Sequence, residues 1–113
     1  QKYLGITPAD DATGILQDVH WSHGLLGYFP TYSLGSAYAA QYYRQAEQDI
    51  PGLNDMIAKG DNAPLLNWLR EKIHVHGRFY NSQDLCEKVT RQKLNFNHFL
   101  KYAEDKYSGI YGF

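Results

Sequence analysis

No run of apolar residues in this chain approaches the ~20 needed to cross a bilayer, and its N-terminal stretch lacks a signal-peptide pattern. Only one cysteine is present, Cys86, which excludes an internal disulfide and favours a reducing compartment. Cys86 follows Leu85 in a helical pattern, so it reads as a buried structural thiol and not as a nucleophile. Neither sign of charge dominates. With 11 basic and 12 acidic side chains, a net charge of −1 and no basic stripe, the sequence offers nothing to nucleic acid or an anionic membrane. The expected setting is soluble and cytoplasmic.

Several catalytic patterns are missing too. No His-Glu-x-x-His is present, the spacing that puts two zinc ligands and a general base on one helical turn. Gly24-Leu-Leu-Gly27 lacks the Lys-Ser/Thr that completes a phosphate loop, and Ser22, Ser33 and Ser36 have no nucleophile-elbow context. His20 and His23 are three apart and would share a helical face, but a metal site needs a further ligand. His74 and His76, two apart near a helix end, suit capping and packing better than a metal pair. A self-contained zinc site is not expected.

Tyrosine, by contrast, is plentiful: 10 Tyr stand against 5 Phe and 2 Trp, a bias toward rings with polar tips that suit clefts and interfaces. The length of 113 residues fits one domain, which buries roughly two-thirds of the surface its unfolded chain exposes. Residues 5–13 are rich in turn formers and read as a loop, in which Pro8, Asp10 and Asp11 could open a short helical turn. Residues 14–27 show no clean period and read as irregular or short-helical. The chain opens on Gln1-Lys2-Tyr3-Leu4, without Met and in mid-pattern, as a cut inside a longer protein would leave it.

From Tyr32 the pattern turns helical. Leu34, Ala37, Tyr38, Gln41, Tyr42 and Gln45 form one stripe, and Gly35, Ser36, Ala39 and Ala40 form a small-residue side that predicts burial on more than one face. Pro30 and Thr31 begin this helix and Pro51-Gly52 closes it. A short helix over 53–59 ends at Gly60. A third, capped by Asp61 or Asn62 with Pro64 in its first turn, buries Leu65, Leu66, Trp68, Leu69 and Ile73 and stops at Gly77. Asn81 or Ser82 caps a fourth carrying Leu85, Cys86 and Val89, and Asn95 or Asn97 begins a fifth with Phe99, Leu100, Tyr102, Ala103 and Tyr107 toward the core. No alternating strand pattern or internal repeat occurs. The expected class is all-α, with about five helices and antiparallel neighbours joined by short loops.

The chemistry concentrates ahead of that bundle, in residues 14–32, which display Gln17, Asp18, His20, Tyr28 and Tyr32. Asp18 lies close enough along the chain to orient His20, and an imidazole with a phenol can donate to a developing oxyanion. The same residues would also suit a polar loop whose side chains satisfy buried backbone groups.

Gly14, Gln17, Asp18, His20 and Trp21 match Gly-x-x-Gln-Asp-x-His-Trp at every defined position, a signature that resembles the Taq-type metallocarboxypeptidases. Gly27-Tyr-Phe-Pro-Thr-Tyr-x-Leu-Gly35, Ala39-Ala-Gln41, Ile73-His-x-His-Gly77, Phe99-Leu-x-Tyr102 and Lys106-Tyr107 are similar to that family as well. One departure is Arg91 after Thr90, where the family pattern has Gly; it implies a local difference at a helix end. The resemblance implies the C-terminal part of a larger, mainly helical, cytoplasmic, homodimeric peptidase that removes C-terminal residues from peptides. Residues 1–31 would form its active-site loop region and 32–113 a helical bundle. Zinc would be its cofactor, held by the two histidines of His-Glu-x-x-His and a distant glutamate, none of which is in this sequence. The arginine motif that helps hold the substrate carboxylate is absent as well, so the remaining N-terminal portion would supply both. The resemblance assigns His20 and Tyr28 as donors to substrate or tetrahedral intermediate, Asp18 as the group that positions His20, and Gln17 with Tyr32 as subsite lining. The helical oligopeptidases, where His and Tyr downstream of the zinc motif play such roles, offer an analogy. Two other readings compete: a non-enzymatic helical module that binds a protein through the Tyr-rich helix, and a structural cap that completes a larger domain.

Overall fold

The structure, a computed structural model, describes Lys2 and residues 5–112; Gln1, Tyr3, Leu4 and Phe113 lie outside the described residues, and the reading of residues 1–4 as mid-pattern falls there. Among the described residues all regular structure is helical, and no helix is long and apolar enough to cross a membrane. The described residues form six α-helices: α1 Val19–Ser22, α2 Pro30–Asp49, α3 Leu53–Ala58, α4 Ala63–Lys72, α5 Ser82–Thr90 and α6 Asn97–Tyr111. Short 3₁₀ turns at Ile15–Gln17 and His74–His76 complete the set. The five segments read from the pattern are α2 to α6, and α1 is a single turn within the stretch read as irregular or short-helical. The chain divides into two compact units, residues 1–33 and 34–113.

In the second unit, side-chain chemistry sets the helix ends. Asp61 accepts from the Ala63 backbone N–H at 3.2 Å, and Pro64 occupies the first turn of α4 where a missing N–H costs little. Asn81 caps α5 by accepting from the Asp84 N–H at 2.9 Å while its own amide donates to the Asp84 carboxylate at 2.7 Å. Asn95 accepts from the Asn97 N–H at 3.1 Å as α6 begins. Arg70 and Lys72 in the last turn of α4 and Lys88 in that of α5 complement the negative helix ends.

The core of this unit is built on Ala46, Leu53 and Trp68, with Tyr42, Tyr43, Ile50, Ile57, Leu65, Leu69, Ile73 and Val89 packed around them. Burial pushes the Tyr42 hydroxyl up to about 12, so that phenol stays neutral. The Trp68 indole, though buried, donates to Asp49 at 2.8 Å, and that bond, followed by one from Gln45, holds the Asp49 carboxyl below its usual range. A second buried group is polar. Gln41, 1% exposed, donates to the Thr90 hydroxyl at 2.8 Å and the Lys93 carbonyl at 3.2 Å, and accepts from the Asn95 N–H at 2.8 Å. One amide thus ties the middle of α2 to the end of α5 and the loop before α6. Cys86 is fully buried beside Thr90, and burial pushes its thiol up, as befits a structural residue.

Several apolar assignments do not hold. Leu34, Leu66, Leu100, Tyr102 and Tyr107, expected in the core, are 53%, 41%, 45%, 51% and 43% exposed. Gly35, Ser36 and Ala39 are exposed as well, so the small side of α2 is not buried here. Pro8, Asp10 and Asp11 open no helical turn: residues 9–11 bend and a hydrogen-bonded turn follows, with the Gly14 N–H on the Asp11 carbonyl at 3.2 Å.

Arg91 sits at the C-cap of α5 with φ 64°, the one non-glycine residue with positive φ among those described. A Cβ in this left-handed conformation crowds the following carbonyl. Replacing Arg91 with Gly is therefore expected to stabilise the chain by about 0.5–1 kcal/mol in urea unfolding, whereas Arg91→Ala, which keeps the Cβ, gives no such gain.

Candidate active site

The first unit builds its site on a sequence of turns. Asp10 accepts from the Thr13 N–H at 2.8 Å and the Thr13 hydroxyl at 2.9 Å, and these bonds hold the Asp10 carboxyl below its usual range. Gly14 follows in close quarters: a Cβ there would meet Pro8 at 3.0 Å and the Asp10 carbonyl oxygen at 3.1 Å. A side chain at the signature glycine would therefore crowd the turn that packs against it. Gln17, at the end of the 3₁₀ turn, directs its amide to the Ala12 carbonyl and so closes the same loop.

Asp18 then leaves the helical region (φ −78°, ψ 100°) and caps α1. Its Oδ1 accepts from the His20 backbone N–H at 2.9 Å and meets the His20 Nδ1 at 2.7 Å. The backbone bond first, and the ring bond second, hold the Asp18 carboxyl below its usual range. A carboxylate only accepts, so Nδ1 carries the hydrogen and the ring is fixed in plane and in tautomer.

The chain must now reverse to bring the tyrosines back. Gly24 and Gly27 take φ values of 71° and 75°, a conformation glycine adopts without strain, and the Leu25 N–H returns to the His20 carbonyl at 2.9 Å. Pro30 then opens α2, and the Thr31 hydroxyl donates to the Tyr28 carbonyl at 2.7 Å, fixing its first turn. As a result Tyr28, Phe29 and Tyr32 surround the imidazole. Tyr28 stacks on His20 with ring centroids 5.3 Å apart and 30° between planes. Phe29 and Tyr32 meet it edge-on at 5.6 and 5.8 Å, and the Tyr32 hydroxyl lies 3.3 Å from His20 Nε2.

Asp18, His20, Tyr28 and Tyr32 are therefore brought together, and Gln17 is engaged on a backbone carbonyl a turn away. The imidazole is half-buried while Tyr28 remains 45% exposed, so the pair can be reached from solvent. Phe29, which the sequence reading did not single out, completes the aromatic enclosure; its place between Tyr28 and Pro30 was the available signal. His23 turns its Nδ1 to the Val19 carbonyl at 2.9 Å and does not join His20. Among the described residues no three His, Cys, Asp or Glu side chains converge on a point where a metal ion could sit. By themselves the described side chains do not make up a metal-ligand set; they present an oriented imidazole beside a phenol.

Because the Asp18 carboxyl is lowered in the folded chain, its contribution is present above its unfolded value and is lost as pH falls through the folded one. In an NMR titration the Asp18 carboxyl is expected to titrate below the usual aspartate range, and the constraint on the His20 ring to vanish only under that more acidic condition. Titration of Asp18 within or above the usual range would contradict the bond.

The family model for the carboxypeptidase Taq (M32) metallopeptidases matches residues 1–107. The chain is 44% identical over 111 residues to carboxypeptidase 1 of Bacillus subtilis, covering 98% of this chain and 22% of that protein. It is 44% identical over 112 residues to thermostable carboxypeptidase 1 of Thermus thermophilus, again spanning 22% of the relative's length. Among solved structures, the M32 carboxypeptidase of Deinococcus radiodurans R1 superposes with a TM-score of 0.91 at 40% identity, over 99% of this chain and 23% of that one. Metallocarboxypeptidase 1 of Trypanosoma cruzi does so with a TM-score of 0.85 at 40% identity, over 93% and 22%. An all-helical chain with the Gly-x-x-Gln-Asp-x-His-Trp signature, matched over nearly its whole length, belongs to the carboxypeptidase Taq (M32) metallopeptidase family.

Proposed function

We propose that this chain is the part of a zinc-dependent carboxypeptidase that receives the scissile carbonyl, and that the zinc ligands lie in polypeptide outside these 113 residues. The observation that carries this reading is an imidazole oriented by a carboxylate at 2.7 Å and stacked on a solvent-reachable phenol at 5.3 Å. Hydrolysis of the last peptide bond turns its carbonyl oxygen into an oxyanion, which directional donors stabilise most when they are held in place beforehand. Tyr28 supplies an O–H. His20 supplies an N–H from Nε2 when the ring is protonated, and the Asp18 carboxylate supports that charge. Zinc, when bound by the rest of the enzyme, would activate water and polarise the carbonyl. Gln17 braces the loop and Tyr32 stands where a peptide would pass. The substrate is a peptide with a free C-terminus, the setting is the cytoplasm, and the complete enzyme is a homodimer.

The main alternative, a protein-binding module, draws support from an apolar groove in the second unit lined by Gly35, Tyr38, Ala39, Tyr42, Leu65 and Leu69. A segment seated within a larger enzyme needs the same kind of surface, so the groove favours neither reading.

The test is a chimera in which this chain replaces the matching segment of the B. subtilis relative. His20→Ala and Tyr28→Phe are each expected to lower kcat by about 10²–10³, the usual cost of losing one oxyanion donor, with metal content unchanged. Loss of metal on replacing His20 would make it a ligand and contradict this role. Alone, the 113-residue chain is expected to hydrolyse nothing; zinc-dependent release of C-terminal residues by it would overturn the division of labour.

A further inference from the structure

Two tyrosines flank His20, and their hydroxyls are placed differently. The Tyr28 hydroxyl makes no hydrogen bond among the described residues, whereas that of Tyr32 lies 3.3 Å from His20 Nε2. On the other side of the ring, Nδ1 lies 2.7 Å from an Asp18 oxygen. A carboxylate has no hydrogen to give, so Nδ1 must be the protonated nitrogen. In the neutral ring Nε2 then has only a lone pair, and the contact with Tyr32 is an O–H donated to it.

We propose that Tyr32 is a positioning residue, which pins the outward nitrogen of His20 while Asp18 pins the inward one, and leaves Tyr28 as the hydroxyl free to meet substrate. This rests on the reading of His20 and Tyr28 as oxyanion donors and changes the part Tyr32 plays in it. Held at one nitrogen only, an imidazole can still tilt about the Nδ1–Asp18 bond. Held at both, with Tyr28 stacked on its face and Phe29 and Tyr32 against its edges, it keeps one orientation. The bond belongs to the neutral ring. When Nε2 gains a hydrogen, Tyr32 no longer donates to it and that hydrogen is left for the substrate oxygen. Tyr32 therefore sets the orientation of the ring before charge develops and takes no part in bond making. Among the described residues, the titratable groups seen in contact with the ring are Asp18, Tyr28 and Tyr32, and His23 is engaged on the Val19 carbonyl.

Long-range proton–nitrogen NMR of the ¹⁵N-labelled chain reads both ring nitrogens directly. Unsubstituted, His20 is expected to show a protonated Nδ1 and a hydrogen-bonded, unprotonated Nε2. Tyr32→Phe, which removes only the hydroxyl, should move the Nε2 resonance toward that of an unbonded nitrogen and leave Nδ1 in place, while Tyr28→Phe leaves both. In the chimera, Tyr32→Phe should lower kcat about tenfold with KM changed by no more than about twofold, as expected for one lost orienting hydrogen bond. A purely structural role for Tyr32 would leave the Nε2 resonance of the folded chain unmoved, and that result overturns the proposal. So does an unprotonated Nδ1 in the unsubstituted chain, which needs no variant. Should the resonance move as expected while His20→Ala and Tyr28→Phe leave kcat unchanged, the donor reading fails and the Tyr32–His20 bond stands.

Discussion

A single carboxylate oxygen, Oδ1 of Asp18, accepts both the backbone N–H and the ring N–H of His20, at 2.9 and 2.7 Å. The first bond starts a four-residue helix and the second sets the plane and tautomer of the side chain that helix carries. Secondary structure and site geometry are therefore established by the same atom. Such economy suits a loop with little core of its own, because charge-assisted bonds are directional and strong at short range. The turns around it serve the same end: Gly14 fits against Pro8 where a Cβ would be crowded, and Gly24 and Gly27 reverse the chain so that Tyr28 and Tyr32 return to the imidazole.

The second unit solves a different problem with similar means. Its apolar centre is small, and a buried amide does part of the joining. Gln41 satisfies every hydrogen-bonding atom it buries by reaching the Thr90 hydroxyl, the Lys93 carbonyl and the Asn95 N–H. A buried polar side chain completed in this way fixes which residues face one another, since a shifted register would leave its groups without partners. Large apolar side chains on α4 and α6 meanwhile stay at the surface. Their exposure accords with a chain that spans only 22% of the relatives it matches.

Helix ends were the most legible feature of the sequence, because the chemistry that makes them is local. Pro30, Pro51-Gly52, Asp61 and Asn81 mark boundaries through their own backbone or side-chain bonding, whereas Gly77, read as the end of the third helix, closes the 3₁₀ turn His74–His76 that follows α4, which itself stops at Lys72. The buried face of α6 was not legible in the same way. Phe99 and Ala103 are partly covered while Leu100, Tyr102 and Tyr107 are not, a choice made by neighbours and not by periodicity. At the site, the pairing of Asp18 with His20 could be read from their separation of two residues. The contact of Tyr32 with His20 could not, because twelve residues and two glycine turns intervene. Arg91 stands between these cases: its departure from the family pattern pointed to a helix end, and its φ of 64° shows why glycine suits that position.

The central claim is that His20 and Tyr28 face the oxygen on which charge develops as the last peptide bond breaks. It is tested most directly by the crystal structure of an M32 carboxypeptidase containing this segment, bound to a phosphonate analogue of the tetrahedral intermediate. The account requires His20 Nε2 and the Tyr28 hydroxyl to lie within about 3 Å of phosphonate oxygens, with Asp18 still on Nδ1. A phosphonate held entirely by other residues, with both side chains turned from it, would contradict the account.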